Sequence, residues 1–323
     1  MAIYLVTGAA GFIGAYTASL LLLEGHTVIG VDNMNEAYDV RMKEYRLKCL
    51  VEMMKKFTFY KQDISDKSIM HQLQNEKFDA IIHLAARAGV RKSIADPRKF
   101  FSSNLTGTLN MLEICRDTGT NKFVIASTSS VYGASRSYPT PETASSSEPL
   151  QPYAASKKAA EVLCHTYHHL YGIDVSVLRY FTVYGPKGRP DLALFRFVQW
   201  IYEGRPVRLN GDGQQSRGFT YVGDIALGTI SALKPVGFEI MNMGGGEVIT
   251  INALIGLIEE ITGKRAEVQR YPSNPGDVWT SWADTTKARK LLGWEPKVDM
   301  RAGVEQTVEW YEKERAWASD IKL

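Results

Sequence analysis

Short apolar runs alternate with longer helical patterns through the first half of the chain. The apolar runs predict strands at residues 3–7, 27–32, 57–63, 80–85, 123–127 and 175–180. Several of them are continuous runs of valine, isoleucine and leucine, which is typical of strands buried on both faces of a sheet. Helical patterns at 12–24, 104–118 and 153–171 lie between them, and each is followed by a glycine, a common signal at the end of a helix. The alternation predicts crossover connections, a parallel sheet and therefore an α/β fold.

The pattern changes after residue 180. Glycine, proline and arginine follow in irregular order over residues 183–218. A strand–helix segment at 219–233, a strand at 240–243 and a helix at 251–262 come next. We therefore expect a smaller mixed α/β domain that is interleaved with the first. The predicted division is 1–180 plus about 219–242 for the first domain, and about 181–218 plus 243–323 for the second.

The composition is that of a globular protein, with 45% apolar and 23% charged residues. A net charge of +3 over 323 residues gives no basic footprint, so we expect no nucleic-acid partner. Cys49, Cys115 and Cys164 lack the spacing of a disulfide framework or a zinc site. No apolar stretch approaches the ~20 residues of a membrane span, and the first residues lack the basic segment of a signal peptide. We expect no metal, no membrane partner and a cytoplasmic location.

Three glycines, Gly8, Gly11 and Gly14, follow the first predicted strand in a GxxGxxG spacing. Glycines allow the backbone to approach a pyrophosphate, and the N terminus of the next helix attracts its negative charge. Because the loop joins the first strand to the first helix, it predicts a doubly wound Rossmann domain. Asp32 ends the second strand, where a carboxylate accepts ribose hydroxyls and repels a 2′-phosphate. The predicted cofactor is therefore NAD, with Asp63 after the third strand as a candidate neighbour of the adenine.

Tyr153 and Lys157 stand four residues apart at the start of a predicted helix, so they share one helical face. A phenol normally has a pKa near ~10, which a nearby ammonium and a cationic nicotinamide ring would lower. Tyr153 could then take a proton from a substrate hydroxyl while hydride leaves the same carbon. The pair predicts redox chemistry at a hydroxyl group.

Three consecutive hydroxyl side chains, Thr128, Ser129 and Ser130, follow the fifth predicted strand. Ligands of open parallel sheets bind at the carboxyl ends of the strands. These hydroxyls are therefore candidates for substrate contact.

Further segments accompany these motifs. They are His83-Leu84-Ala85-Ala86, Asn104, Ser127-Thr128-Ser129-Ser130-Val131-Tyr132-Gly133 and Arg217-Gly218-Phe219-Thr220-Tyr221-Val222. Together with the glycine loop, Asp32, Tyr153 and Lys157, they resemble the extended short-chain dehydrogenase/reductase family of nucleotide-sugar enzymes, over essentially the whole chain. The resemblance implies NAD held as a prosthetic group and a second domain that binds a nucleoside-diphosphate sugar.

The resemblance also implies roles for single residues. Thr128 would hydrogen-bond the reacting oxygen beside Tyr153, and Lys157 would also bind the nicotinamide ribose. The residues expected to contact the cofactor are Gly8, Gly11, Phe12, Ile13, Gly14, Asp32, Asn33, Asp63, Ile64, Leu84, Ala85, Ala86, Asn104, Lys157 and Tyr180. The residues expected to contact the substrate are Thr128, Ser129, Ser130, Tyr153, Thr182, Arg189, Arg217 and Asp277.

The two residues after Thr128 separate the branches of this family. Members that remove water resemble Thr-Asp-Glu here, and members that decarboxylate a sugar acid resemble Thr-Ser-Glu. Elimination needs an acid and a base in the site, whereas Ser129 and Ser130 are neither. The sequence therefore favours a 4-epimerase, in which hydride returns to the opposite face of a 4-keto sugar.

The substrate depends on residues 179–191, which resemble the UDP-glucuronate 4-epimerases. Thr182 stands where the hexose 4-epimerases have asparagine. The hydroxyls at 128, 129, 130 and 182 could hold a C6 carboxylate or a C6 hydroxyl. Conversion of UDP-glucuronate to UDP-galacturonate is favoured, a UDP-glucose/UDP-galactose 4-epimerase is the alternative, and a UDP-glucuronate decarboxylase is less favoured.

Two remaining expectations concern the phosphates and the partner. Arg217 resembles the family's diphosphate-binding arginine, and Arg189 is a second candidate because its planar donors suit phosphate oxygens. Residues 274–277 resemble the loop that closes over the nucleotide. Helices 104–118 and 153–171 resemble those that pair across the family's two-fold interface, so a homodimer is expected. A non-catalytic NAD-binding scaffold would need none of Tyr153, Lys157 and Thr128.

Overall fold

Strands and helices alternate along the first half of the chain, as the sequence predicts. The computed structural model describes residues 1–53, 56–134, 137–273 and 279–323. The strands are β1 (Ile3–Thr7), β2 (Thr27–Asp32), β3 (Phe57–Lys61), β4 (Ala80–His83), β5 (Lys122–Thr128), β6 (Asp174–Tyr180), β7 (Thr182–Tyr184), β8 (Val207–Asn210), β9 (Ser216–Tyr221), β10 (Phe238–Met243), β11 (Val248–Thr250), β12 (Val268–Tyr271) and β13 (Thr280–Ser281).

The helices connect these strands and cover both faces of the larger sheet. They are α1 (Phe12–Leu23), α2 (Arg41–Met53), α3 (Ser68–Leu73), α4 (Val90–Ala95), α5 (Pro97–Phe101), α6 (Gly107–Thr118), α7 (Pro152–Tyr171), α8 (Ala193–Tyr202), α9 (Val222–Ser231), α10 (Ile251–Thr262), α11 (Thr286–Leu292) and α12 (Met300–Ala318). A π-helical turn at Ser102–Thr106 precedes α6, and a 3₁₀ turn at Ser129–Tyr132 follows β5. Within the described ranges, none of these helices is both long and apolar enough to cross a membrane.

Seven described strands form one parallel sheet in the order β3-β2-β1-β4-β5-β6-β10. This order confirms the predicted doubly wound Rossmann sheet. Successive strands are added on one side of β1 up to β3, and from β4 onwards they are added on the other side. One apolar cluster packs α1, α2, α9 and α11 on one face. A second cluster packs α3, α6 and α7 on the other face.

Two predicted strands end earlier than expected. β3 stops at Lys61 and β4 stops at His83, two residues before the predicted ends in each case. Just beyond these ends, backbone nitrogens donate to side chains and not to a neighbouring strand. Ala85 N donates to Thr7 Oγ1, and Ser65 N donates to Asp63 Oδ1. Such bonds divert the chain from the ladder at the carboxyl edge of the sheet.

The sequence analysis assigns no helix or strand within residues 183–218, but the structure has several there. This segment contains most of β7, all of α8 and β8, and the first half of β9. One face of α8 is apolar and packs against α10 and α12 in a third cluster. The frequent glycines and prolines punctuate these short elements and mask their periodicity.

Six described strands in the second half of the chain lie outside the large sheet and form two smaller sheets. β9 pairs in parallel with β7 and β13 and antiparallel with β11, and β8 pairs with β12. The helices α8, α10 and α12 share the third cluster. Trp294 and Ala288, which follow β13, belong instead to the first cluster. The division into two interleaved domains at the stated boundaries stays a prediction.

Candidate functional site

The glycine-rich loop lies at the carboxyl edge of the large sheet, between β1 and α1. Gly8 has a φ of +70°, which favours glycine. A Cβ on Gly14 would lie 2.0 Å from the Gly8 carbonyl oxygen, and one on Gly8 would lie 2.8 Å from the Ala85 nitrogen. A side chain at Gly8 or Gly14 would clash with neighbouring backbone, so the loop can bring its main chain close to a phosphate.

A cavity of about 490 Å³ opens directly above this loop. The predicted cofactor contacts on its wall are Gly8, Gly11, Phe12, Ile13, Gly14, Asp32, Asn33, Ile64, Leu84, Ala85, Ala86, Lys157 and Tyr180. Tyr180 is held by a hydrogen bond between its hydroxyl and Thr229 Oγ1, at 2.7 Å. The structure thus brings residues from five strand ends to one cleft.

Two predicted cofactor contacts, Asp63 and Asn104, do not lie on this wall. Asp63 accepts hydrogen bonds from Asn33 Nδ2 at 2.7 Å and from Ser65. Asn104 is fully buried. Its Oδ1 accepts from the Arg87 backbone nitrogen, and its Nδ2 donates to the Arg87 carbonyl and to Ser156 Oγ. Both side chains use their polar atoms to hold residues near the cavity, and their direct contact with a cofactor stays a prediction.

Sequence reasoning missed Lys43, which reaches the same cavity from α2. Its ammonium is buried and lies 3.1 Å from Asp32 Oδ1. Asp32 also accepts from the backbone nitrogen of Met34, at 2.9 Å. Since lysine is almost never buried without a partner, the sequence alone gives no signal that Lys43 faces inward.

Tyr153 stands near the start of α7, one residue after the proline that begins the helix. Burial raises the pKa of its phenol, while a hydrogen bond with the Thr128 hydroxyl and the charge of Arg189 lower it. The structure places Tyr153, Thr128, Lys157 and Arg189 on the wall of one cavity. The predicted effect of Lys157 on the phenol stays a prediction.

Lys157 is 1% exposed, and its Nζ has no hydrogen-bond partner in the described part of the chain. Burial lowers the pKa of this ammonium to about 8. An ammonium desolvated in this way is costly unless a ligand supplies acceptors. The orphaned donor and the glycine cradle on the same cavity both fit a bound dinucleotide such as NAD, whose ribose hydroxyls would complete the site.

Thr128, Ser129, Ser130 and Thr182 all lie on the cavity wall beside Tyr153. Thr128 begins the 3₁₀ turn, and its Oγ1 accepts from the backbone nitrogen of Ser130 at 3.2 Å. The Thr128 and Ser130 hydroxyls lie 3.2 Å apart. The turn thus presents a compact set of neutral donors without a carboxylic acid.

A buried ion pair supports this turn from below. Arg179 donates to Glu161 at 2.9 and 2.7 Å, and Ser127 Oγ donates to the same carboxylate at 2.6 Å. The guanidinium also lies 4.8 Å from the ring centre of Tyr132. Because Glu161 belongs to α7 and Ser127 to β5, this network fixes the helix that carries Tyr153 against the strand that carries Thr128.

A larger cavity of about 1410 Å³ joins the first at Tyr153, Thr182 and Arg189, which line both. Its cationic side chains outnumber the acidic ones. They are Arg41, Arg91, Lys92, Arg189, Arg196, Arg208, Arg217 and Lys322, against Glu36, Asp39 and Asp191. The predicted substrate residues Arg189 and Arg217 are among them, whereas Asp277 lies outside the described residues.

The arginines of the larger cavity differ in their partners. Arg189 donates to both oxygens of Asp191, at 3.1 and 2.8 Å. Arg217 donates to the carbonyls of Ser216 and Trp279. Arg196 Nε is buried without a hydrogen-bond partner in the described ranges. Burial and the positive charges of neighbouring arginines lower the pKa of Arg196. Such a shift is expected where like charges lie close together with no bound anion to neutralise them.

Residues 5–307 match the family described as GDP-mannose 4,6 dehydratase. A UDP-glucuronate 4-epimerase of Thermodesulfobacterium geofontis is 50% identical over 325 residues, which cover 100% of both chains. Among solved structures, the UDP-glucuronic acid 4-epimerase from Bacillus cereus, in complex with UDP-glucuronic acid and NAD, is 36% identical with a TM-score of 0.89. The match covers 97% of this chain and 99% of that one.

A UDP-glucose 4-epimerase from Thermotoga maritima, solved with UDP-glucose, also has a TM-score of 0.89. It is 34% identical, and the match again covers 97% of this chain and 99% of that chain. The equal scores mean that the backbone does not separate sugar-acid epimerases from hexose epimerases. The choice between substrates depends on side chains.

Proposed function

We propose that this chain, which belongs to the GDP-mannose 4,6 dehydratase family, is an NAD-dependent 4-epimerase that interconverts UDP-glucuronate and UDP-galacturonate. The observation that carries the proposal is the set of neutral hydroxyls around Tyr153, with no carboxylic acid at positions 129 and 130. The similarity to UDP-glucuronate 4-epimerases over the full chain supports the same assignment.

The redox step requires NAD, which when bound accepts a hydride from C4 of the sugar and returns it. The protein's part is proton transfer at the C4 oxygen. Tyr153 Oη would take the hydroxyl proton, and the Thr128 hydroxyl, which lies on the same cavity wall, would hold the same oxygen. Lys157 would bind the nicotinamide ribose and supply positive charge near the phenol once the cofactor provides acceptors for it.

The neutral hydroxyls explain why the 4-keto sugar is neither dehydrated nor decarboxylated. Loss of water needs an acid for the departing hydroxyl, and the turn after Thr128 offers only Ser129 and Ser130. A 4-keto sugar acid loses carbon dioxide most easily when its C5–C6 bond aligns with the ketone π system. Fixed donors at 128–130 and Thr182 would hold the carboxylate away from that alignment.

The cationic cavity suits the diphosphate of the nucleotide. Arg217, Arg196 and Arg208 converge on it from β9, α8 and β8. An unpartnered guanidinium nitrogen on Arg196 is a donor that a phosphate oxygen would satisfy. We extend the same proposal to Asp277, as a residue of the closing loop.

Assembly and location complete the proposal. Exposed apolar residues line α6 and α7, including Leu109, Val162 and Leu170. Such residues on two neighbouring helices support a two-fold interface in which the pairs form a four-helix bundle, and hence a homodimer. A cytoplasmic location is consistent with three free cysteines.

NMR of UDP-glucuronate with the purified enzyme tests the proposal directly. With no added cofactor beyond what the protein retains, the anomeric signals of UDP-galacturonate are expected to grow to a fixed ratio. A parallel sample receives UDP-glucose. Turnover of UDP-glucose beside unchanged UDP-glucuronate would establish the hexose alternative, and release of a UDP-pentose would establish the decarboxylase.

A further inference from the structure

Arg46 is among the most deeply buried charged side chains of the described residues, with an exposure of 1%. It lies on α2 and uses all three guanidinium nitrogens. Nε donates to the Lys187 carbonyl at 2.8 Å and one terminal nitrogen to the Gly188 carbonyl at 2.9 Å. The other terminal nitrogen donates to the Ala10 carbonyl at 3.2 Å and to the Tyr38 hydroxyl at 2.8 Å.

These acceptors belong to two different parts of the site. Ala10 is in the glycine-rich loop that borders the smaller cavity. Lys187 and Gly188 directly precede Arg189, which lines both cavities. Lys187 has a φ of +57°, an uncommon conformation for a residue with a side chain. The buried guanidinium of Arg46 donates to the Lys187 carbonyl and stabilises that turn. It thereby fixes the position of the Arg189 backbone.

Tyr38 provides a second link between the same parts. Its ring lies 5.6 Å from the Lys43 ammonium, 5.6 Å from the Arg46 guanidinium and 5.7 Å from that of Arg189. Lys43 in turn pairs with Asp32 in the smaller cavity. The Tyr38 ring therefore lies close to three cations, at distances where cation–π attraction is effective.

We propose that Arg46 is a positioning residue that couples the two sites. It fixes Arg189 relative to the glycine-rich loop, directly through the carbonyls of residues 187 and 188 and indirectly through Tyr38. A ligand in the smaller cavity would contact the loop that contains Ala10, and Arg46 links the position of that loop to the position of Arg189. The inference rests on the proposed function, because it takes Arg189 to face the UDP-sugar.

A double-mutant cycle measured by calorimetry tests this coupling without relying on turnover. Every variant carries Tyr153→Phe, so that UDP-glucuronate binds without reacting. Arg189→Met is expected to weaken UDP-glucuronate binding about 30-fold and Arg46→Met about tenfold, on the scale of hydrogen bonds to charged groups. Because Arg46 acts through Arg189, the double variant should bind no more than about twofold more weakly than Arg189→Met alone.

Lys48→Met is the matched control, since it removes a charge from an exposed position of the same helix and should leave binding within about twofold of the parent. Arg46→Lys keeps the charge but not the planar fork, so it should resemble Arg46→Met. It also serves if Arg46→Met does not fold. The dissociation constant of UDP-glucuronate is then measured with and without saturating NAD. The ratio of the two constants should be close to one in both Arg46 variants.

The outcomes separate the two proposals. If the Tyr153→Phe parent fails to bind UDP-glucuronate but binds UDP-glucose, the proposed substrate is wrong and the cycle is run with UDP-glucose. If the parent binds and the effects of Arg46 and Arg189 multiply, Arg46 does not act through Arg189. An unchanged NAD effect in Arg46→Lys would equally overturn the coupling.

Discussion

The two connected cavities are built on different principles. Backbone geometry makes the smaller one, where Gly8 and Gly14 leave no space for a side chain. The buried ammonium of Lys157 in this cavity has no hydrogen-bond partner among the described residues. Charged side chains from distant segments make the larger one, where arginines from α4, α8, β8 and β9 converge. We therefore expect small changes in shape to disrupt the smaller cavity, and we expect the larger one to lose ligand affinity in steps as single charges are removed.

The largest effect is expected at the junction of the two cavities. Tyr153→Phe removes the proton-transfer group without removing the ring, so kcat should fall about 100- to 10,000-fold. Binding of the UDP-sugar should stay within about threefold by calorimetry, because uniform binding does not depend on the phenolic proton. A variant that lost binding and kept kcat would assign Tyr153 to substrate binding only.

In the smaller cavity, a single methyl group should be disruptive. Gly14→Ala places a Cβ 2.0 Å from the Gly8 carbonyl oxygen, and the resulting overpacking should weaken NAD binding about 10- to 100-fold. The measurement is titration of cofactor-free protein with NAD. Gly256→Ala in α10 is the control, since its Cβ meets no atom within 4 Å; equal losses in both variants would argue against a shape-dependent cradle.

In the larger cavity, one charge should matter less. Arg196→Gln is expected to raise KM for the UDP-sugar about tenfold, because a hydrogen bond to a phosphate is lost, while kcat and NAD affinity stay unchanged. Steady-state kinetics provide the test, with Arg265→Gln as the control because that side chain is 93% exposed. A fall in kcat at constant KM would contradict this assignment and show that Arg196 acts in the chemical step, not in nucleotide binding.

The smallest expected effect is on the free energy of unfolding, and it distinguishes two buried lysines, Lys157 and Lys122. Lys122 has partners in Asp174, Ser176 and the Lys234 carbonyl, whereas Lys157 Nζ has none within the described ranges. In the cofactor-free protein, Lys157→Met should raise the free energy of unfolding by about 1 kcal/mol at neutral pH, and Lys122→Met should lower it by at least as much. Urea unfolding measures both.

The pH dependence of that difference has a definite sign. The pKa of Lys157 is lowered to about 8 from 10.5 in the folded protein, so the unfolded chain binds the extra proton between these values. The contribution of Lys157 to the free energy of unfolding therefore increases as the pH is raised from about 8 to about 10.5. The advantage of Lys157→Met over wild type should narrow across that window, and an advantage that grows would show that burial does not disfavour the charged lysine.

The same contrast explains what the sequence predicts well. The glycine loop, Asp32 and the Tyr153–Lys157 pair are local patterns whose spacing is fixed by a strand end or a helical turn, and the structure places most of them on one cavity. Lys43 and Arg46 were missed because buried cations on α2 break the apolar period that identifies an inward helical face. Arg91 lies more than 100 residues before Arg196 and Arg208 in the sequence, and only the tertiary fold brings it to the same cavity.

Retention of the C4 hydrogen tests the central claim most directly. UDP-glucuronate labelled with deuterium at C4 is converted in ordinary water, and the product is analysed by mass spectrometry and proton NMR. Because hydride returns to the carbon it left while Tyr153 handles only the oxygen-bound proton, UDP-galacturonate should retain the deuterium at C4. Loss of the label to solvent would contradict hydride return, and a product without its carboxyl carbon would contradict the epimerase assignment.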